Sequence, residues 1–181
     1  MSDLLMPNRR QGTSSHAKAI RGVSAFPITK ATPADADELS ALHAGALPPG
    51  WSAPEIAAYC GETDRMVLKA ANFAGLHGFA VLQFAADEAE ILTIAVRHAS
   101  RRQGVASYLM EAAIGLFGEK SVSCAYLEVE EGNIPARSLY EKSGFRIFAR
   151  RKNYYRTAGA GMATALIMRL DIGGGLSQVN T

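Results

Sequence analysis

Apolar positions recur along the chain with two different periods, and the changes of period divide it into elements. Residues 26–30 read as a short strand. Thr32 then precedes Pro33, which suits a helix cap followed by a first-turn proline. Leu39, Leu42, Ala46 and Leu47 continue that helix until Pro48, Pro49 and Gly50 end it. Ser52, with Glu55 three residues on, predicts the start of a second short helix. From Arg65 the pattern turns to strands, at 66–70, 76–84 and 90–96, separated by turn residues and predicted to form an antiparallel meander.

A helix is predicted over 104–118, with Val105, Leu109, Ala112, Ala113 and Leu116 on one stripe. Residues 122–129 return to strand, 133–143 form a helix capped by Asn133 and closed by Gly144, and 145–150 and 163–170 are the last strands. The order is strand, two helices, three strands, helix, strand, helix, two strands. It predicts an α/β (α+β) domain over 25–172, with a mixed, mostly antiparallel sheet and helices on both faces. Residues 1–24, polar and aperiodic, read as a disordered extension, and 173–181 as a flexible tail.

Composition narrows the function classes. The chain has 181 residues, 48% hydrophobic and 20% charged, which suits one soluble domain. A net charge of +2 is too small for bulk nucleic-acid binding, although a local basic patch would suit an anionic ligand. No direct nucleic-acid contact, no membrane association and a cytoplasmic location are expected. Cys60 and Cys124 lack metal-ligand spacing and read as reduced, non-catalytic thiols, so no metal is expected.

Two clusters carry candidate chemistry. In the first, an apolar strand ends at Ile94, Ala95 and Val96, a basic turn follows through Arg101, Arg102 and Gln103, and a helix opens with Gly104, Val105, Ala106 and Ser107. Unpaired amides and partial positive charge at a helix start favour phosphate. Taken by itself the run also fits a plain turn with solvated arginines. It is neither a dinucleotide fingerprint nor a Walker A loop. In the second cluster, Glu128 interrupts an apolar strand, where a carboxylate needs a task or a partner, and Tyr140 follows on the next helix. A carboxylate near a phenol can serve as base and acid. Taken singly, a structural hydrogen bond for Glu128, a cap for Asn133 and a core position for Tyr140 fit as well.

Together these segments resemble the GNAT superfamily of N-acetyltransferases. The residues are Arg101-x-x-Gly104-x-Ala106 after the 94–96 strand, then Asn133, Leu139-Tyr140 and Gly144-Phe145. Trp51-Ser52, Asp87-Glu88-Ala89, Leu127-Glu128-Val129, Glu141 and Asn153-Tyr154-Tyr155 bring the likeness closer to its RimI branch, bacterial enzymes that acetylate the N-terminal alanine of a small-subunit ribosomal protein. The resemblance implies acetyl-CoA as donor, held by Ile94, Ala95, Val96, the run Arg101 to Ser107, Asn133 and Tyr140. It implies Glu128 as proton acceptor and Tyr140 as proton donor, with direct attack in a ternary complex. Trp51, Tyr154 and Tyr155 would line the acceptor groove, where the two tyrosines fit aromatic packing equally well. The implied partner is a protein N-terminus, that of a ribosomal protein, met by a monomer or weak dimer. A small-molecule amine is the alternative acceptor, and a non-catalytic acyl-CoA-binding module is a third reading. Glu90, on the neighbouring strand, is the rival base.

Overall fold

The computed structural model describes residues 26–156 and 162–173. In chain order the elements are β1 (Ile28–Lys30), α1 (Ala36–Ala46), α2 (Ala53–Gly61), β2 (Arg65–Asn72), β3 (Gly75–Ala85), β4 (Glu88–Val96), α3 (Val105–Glu119), β5 (Cys124–Glu130), α4 (Ile134–Lys142), β6 (Arg146–Arg156) and β7 (Met162–Asp171), with 3-10 turns at Pro33–Asp35 and His98–Ser100. The strands form one sheet in the order β1-β2-β3-β4-β5-β7-β6. Each neighbouring pair is antiparallel except β4 and β5, which run parallel. Parallel neighbours need a crossover, and α3 supplies it.

The helix starts follow local chemistry. The Asp35 carboxylate accepts the Thr32 N–H at 2.8 Å, and that of Glu55 accepts the Ser52 N–H at 2.7 Å. Such caps satisfy donors that a helix start leaves without a partner. Apolar burial then places the helices on both faces. Leu109, Met110 and Phe117 of α3 share one core with Leu127, Val129 and Phe145. Leu39, Leu42 and Ile56 of α1 and α2 share the other with Val67, Phe79 and Val81. Each of these large side chains contributes roughly 1.5–3 kcal/mol by leaving water.

Some expected boundaries and positions move. The buried stripe of α3 is Val105, Leu109, Met110, Ala113 and Phe117, whereas Ala112 and Leu116 are half-buried. The 3.6-residue period admits either set, and the contact with the sheet selects between them. Strand β6 continues to Arg156, past the basic run Arg150-Arg151-Lys152 at which the apolar pattern stops. It is an edge strand, where charged side chains are tolerated and discourage further pairing. Strand β1 begins only at Ile28, just after Pro27, which has no N–H to donate to a ladder. The predicted extension over 1–24 and all of the predicted tail except Gly173 lie outside the described residues.

Candidate active site

The site begins with a fault in the sheet. Opposite β3, Val81 pairs with Thr93 but Leu82 pairs with Ile91, so Leu92 is an extra residue in β4. Around this bulge Ile91 faces the α3 core, while Leu92 packs on the α1 side and Thr93 reaches His43 of α1. Pairing with β5 stops at the same place, the last pair being Ile91 with Leu127. Bulges bend a strand and end its ladder. Beyond this point β4 and β5 diverge, and their facing backbone groups have no ladder partner in each other. Arg97 N–H donates to His77 O at 2.8 Å, so by antiparallel alternation the Val96 N–H turns away from β3, towards the split.

The turn after β4 prepares the start of α3. Arg102 and Gly104 both have left-handed backbones, with φ of 65° and 86°. Positive φ is easy for glycine and costly for arginine, and such turns bring successive amides to one side. A second glycine seats the helix: a Cβ on Gly78 of β3 would lie 2.8 Å from Ala95 O and 3.0 Å from Val105 Cγ1. The first residue of α3 thus rests directly on the strand backbone.

A cavity of about 760 Å³ opens between the split and the helix end. Ile94, Ala95 and Val96 form one wall, Arg101, Arg102, Gly104, Val105, Ala106 and Ser107 the turn and helix start, and Asn133 and Tyr140 the wall contributed by α4 and its cap. Gln103 does not line it; its side-chain amide donates to Ala99 O at 2.9 Å and stiffens the turn. Asn133 Oδ1 accepts the Ala136 N–H at 3.2 Å, so the cap uses the oxygen and leaves the NH₂ end of that side chain to address a ligand. Ala46 and Leu47, at the end of α1, and Ser100 also line the cavity and were not expected there.

Tyr140 is 9% exposed, and burial pushes its phenol up to about 12, so it holds its proton at neutral pH. Glu128 lies elsewhere. Its strand neighbours Leu127 and Val129 face the α3 core, so Glu128 projects from the opposite face. There it lines a groove of about 270 Å³ with Gln83, Glu88, Glu90 and Tyr126, and its carboxylate sits 3.4 Å from the Arg151 guanidinium. Glu128 is the first β5 residue beyond the last β4 pair, next to the split. Glu90 shares the groove but lies lower, within the paired part.

Trp51 lines neither cavity. Its ring packs on His43 at 4.7 Å and Tyr59 at 5.1 Å. The side chains of Tyr154 and Tyr155 lie outside the described residues. Cys60 and Cys124 are both buried, and burial pushes the Cys60 thiol up, away from the thiolate a nucleophile requires.

Comparison with known proteins agrees with this geometry. The profile of the acetyltransferase (GNAT) family matches residues 36–145. The chain is 39% identical over 94 residues to the [ribosomal protein bS18]-alanine N-acetyltransferase of Escherichia coli K12 and 37% over 92 residues to that of Haemophilus ducreyi. These matches cover 52% and 51% of this chain and 63% of each relative, so they span under two thirds of the relatives' own length. The crystal structure of the Escherichia coli ribosomal-protein-S18-alanine N-acetyltransferase superposes with a TM-score of 0.78 at 28% identity, covering 86% of this chain and 99% of that one. A split sheet with a ligand-sized cavity at the start of α3, on a chain whose larger part fits the family profile, places this protein in the acetyltransferase (GNAT) family.

Proposed function

We propose that the chain transfers an acetyl group from acetyl-CoA to the N-terminal α-amine of a protein, and that the N-terminal alanine of ribosomal protein S18 is the acceptor. The observation that carries this reading is the cavity at the start of α3, which opens onto the split between β4 and β5 and holds the protonated Tyr140 in its wall. Support for the acceptor comes from relatives at 37% and 39% identity that bear that activity in their names.

The cavity suits the donor. Its amides at the helix start and its two arginines match the charge of a pyrophosphate, and its volume admits an extended arm. When bound, acetyl-CoA supplies an acetyl group activated as a thioester. Arg101, Arg102 and the backbone from Gly104 to Ser107 hold the phosphates, and the Asn133 amide addresses the arm.

The chain's own residues then divide the proton traffic. The Val96 N–H, turned to the split, donates to the carbonyl oxygen and stabilises the charge that develops there. Glu128 takes a proton from the acceptor amine, directly or through a water, on the groove side. Tyr140 gives its proton to the sulfur on the cavity side. An α-amine has pKa near 8, so roughly a quarter of such groups are already neutral near pH 7.5, against ~0.1% of lysines. An N-terminal acceptor therefore asks less of Glu128 than a lysine would. The domain spans 25–172 in this reading and works in the cytoplasm; no helix among the described residues is long and apolar enough to cross a membrane.

The test is acetyl-CoA turnover against peptides that differ in their first residue, with free amines as controls. Turnover concentrated on peptides beginning with the alanine of S18 is expected. Turnover confined to free amines would overturn the acceptor assignment.

A further inference from the structure

Ser100 is 4% exposed in a turn whose neighbours Arg97, His98, Arg101 and Arg102 are exposed. Its hydroxyl ends a chain of hydrogen bonds whose direction can be read from the donors. Ala74 N–H donates to Asn72 Oδ1 at 2.9 Å, which fixes that atom as the amide oxygen. The same oxygen lies 2.8 Å from His77 Nε2, so this nitrogen carries a hydrogen. In the neutral ring the lone pair is then on Nδ1, 2.8 Å from Ser100 Oγ, and the Ser100 hydroxyl donates to it. The ring of His77 is further fixed by an edge contact with Phe26 at 4.8 Å.

This relay joins the turn to β3. Two other bonds help, from Arg97 Nε to Leu76 O and from Arg97 N to His77 O, both 2.8 Å, but each holds the first residue of the turn. Of the ties to β3, Ser100 is the one nearest to the amides that open α3. Beyond it Gln103 bonds only within the turn, to Ala99 O at 2.9 Å, and Arg101 reaches Val96 O and Ala46 O at 3.5 Å. Between it and Gly104 the chain must carry two exposed arginines and the left-handed backbone of Arg102. Like charges and an unfavourable φ both pull such a segment towards other conformations. Amides bind an anion well only when their geometry is fixed before the ligand arrives.

We propose that Ser100 and His77 are positioning residues for the anionic end of the carrier: the Asn72–His77–Ser100 relay holds the 100–104 turn so that the amides at the start of α3 converge on the phosphates. The inference rests on the carrier reading above. It assigns the relay no contact with the reacting atoms.

S-Acetylpantetheine, which has the thioester but no phosphates, separates a positioning role from a general structural one. With the full chain, Ser100→Ala should weaken coenzyme A binding in calorimetry about tenfold. The kcat/KM for acetyl-CoA should fall about tenfold more than that for S-acetylpantetheine. Ser100→Thr, which keeps the hydroxyl, should recover most of the loss. His77→Phe should give the same selective loss, and the double variant should lose no more than either single one. Equal losses with both donors, or an unchanged affinity in Ser100→Ala, would overturn the proposal. A wild-type protein that gives no heat with coenzyme A would instead overturn the carrier reading, and this one with it.

Discussion

Glu128 and Tyr140 lie on opposite faces of the sheet, Glu128 projecting from β5 and Tyr140 from α4. Glu128 lines the groove beside Glu90, and Tyr140 lines the cavity beside Asn133 and Leu139. In the roles proposed for them, a base and an acid so placed would not compete for the same proton. In the proposed reading the split between β4 and β5 is the passage between them, and an amine would arrive on one face while the leaving group departs on the other.

The proximity of Glu128 to the split gives the first expectation. Glu128→Gln should lower kcat about 10²-fold, within the range of general-base catalysis, while Glu90→Gln should change it by less than about threefold. Steady-state kinetics with a peptide acceptor distinguishes them. If the Glu90 variant suffers the larger loss, the base belongs on β4.

Tyr140 should behave as an acid that does not titrate in the working range. Its phenol, raised to about 12 by burial, stays protonated below pH 10, so the rate of the wild-type enzyme should show no falling limb from Tyr140 up to that pH. Tyr140→Phe keeps the buried ring and removes the proton. A kcat loss of about 10²-fold with coenzyme A affinity within about threefold is expected. A falling limb near neutrality that this substitution abolishes would contradict the assignment.

At Gly78 the contact is steric. A methyl group there meets Ala95 O at 2.8 Å and Val105 Cγ1 at 3.0 Å, so the start of α3 must lift or β4 must shift. Gly78→Ala should cost about 1–3 kcal/mol in denaturant unfolding and also weaken coenzyme A binding. Loss of stability with unaltered affinity would show that the helix end accommodates the methyl.

His43 links stability to pH. It is 5% exposed, its Nδ1 accepts the Trp51 N–H at 2.8 Å, and burial holds its pKa below the usual 6.5. The folded chain keeps it neutral where the unfolded chain takes up a proton. Its contribution is therefore present above about pH 6.5 and is lost as pH falls below that value towards its lower folded pKa. Between pH 7.5 and 5.0, urea unfolding should show a larger loss for the wild type than for His43→Gln. Parallel losses would mean that His43 is not part of the acid response.

Where local structure depends on short-range chemistry, the sequence is legible. The caps at Ser52 and Asn133, and Gly104 at the strand–helix junction, follow from short-range rules and stand where the sequence predicts. The bulge at Leu92 has no such signal, because Ile91, Leu92, Thr93 and Ile94 all suit a regular strand and no glycine or proline marks the extra residue. The face chosen by Glu128 was equally hidden, since alternation fixes only that Leu127 and Val129 oppose it. Ala46 and Leu47 reach the cavity through tertiary packing of α1, some fifty residues before the turn they face. The His77–Ser100 bond likewise joins residues 23 positions apart in different elements.

The extra residue at Leu92 leaves the sheet with an interior seam. Soluble proteins normally shield exposed strand edges because their unused donors and acceptors recruit other chains. In the proposed reading the seam takes the slender, amide-bearing pantetheine arm, which would stand in for a missing strand. Occupancy would knit the two halves of the sheet together, so the loaded protein should melt higher than the empty one by an amount that tracks ligand concentration.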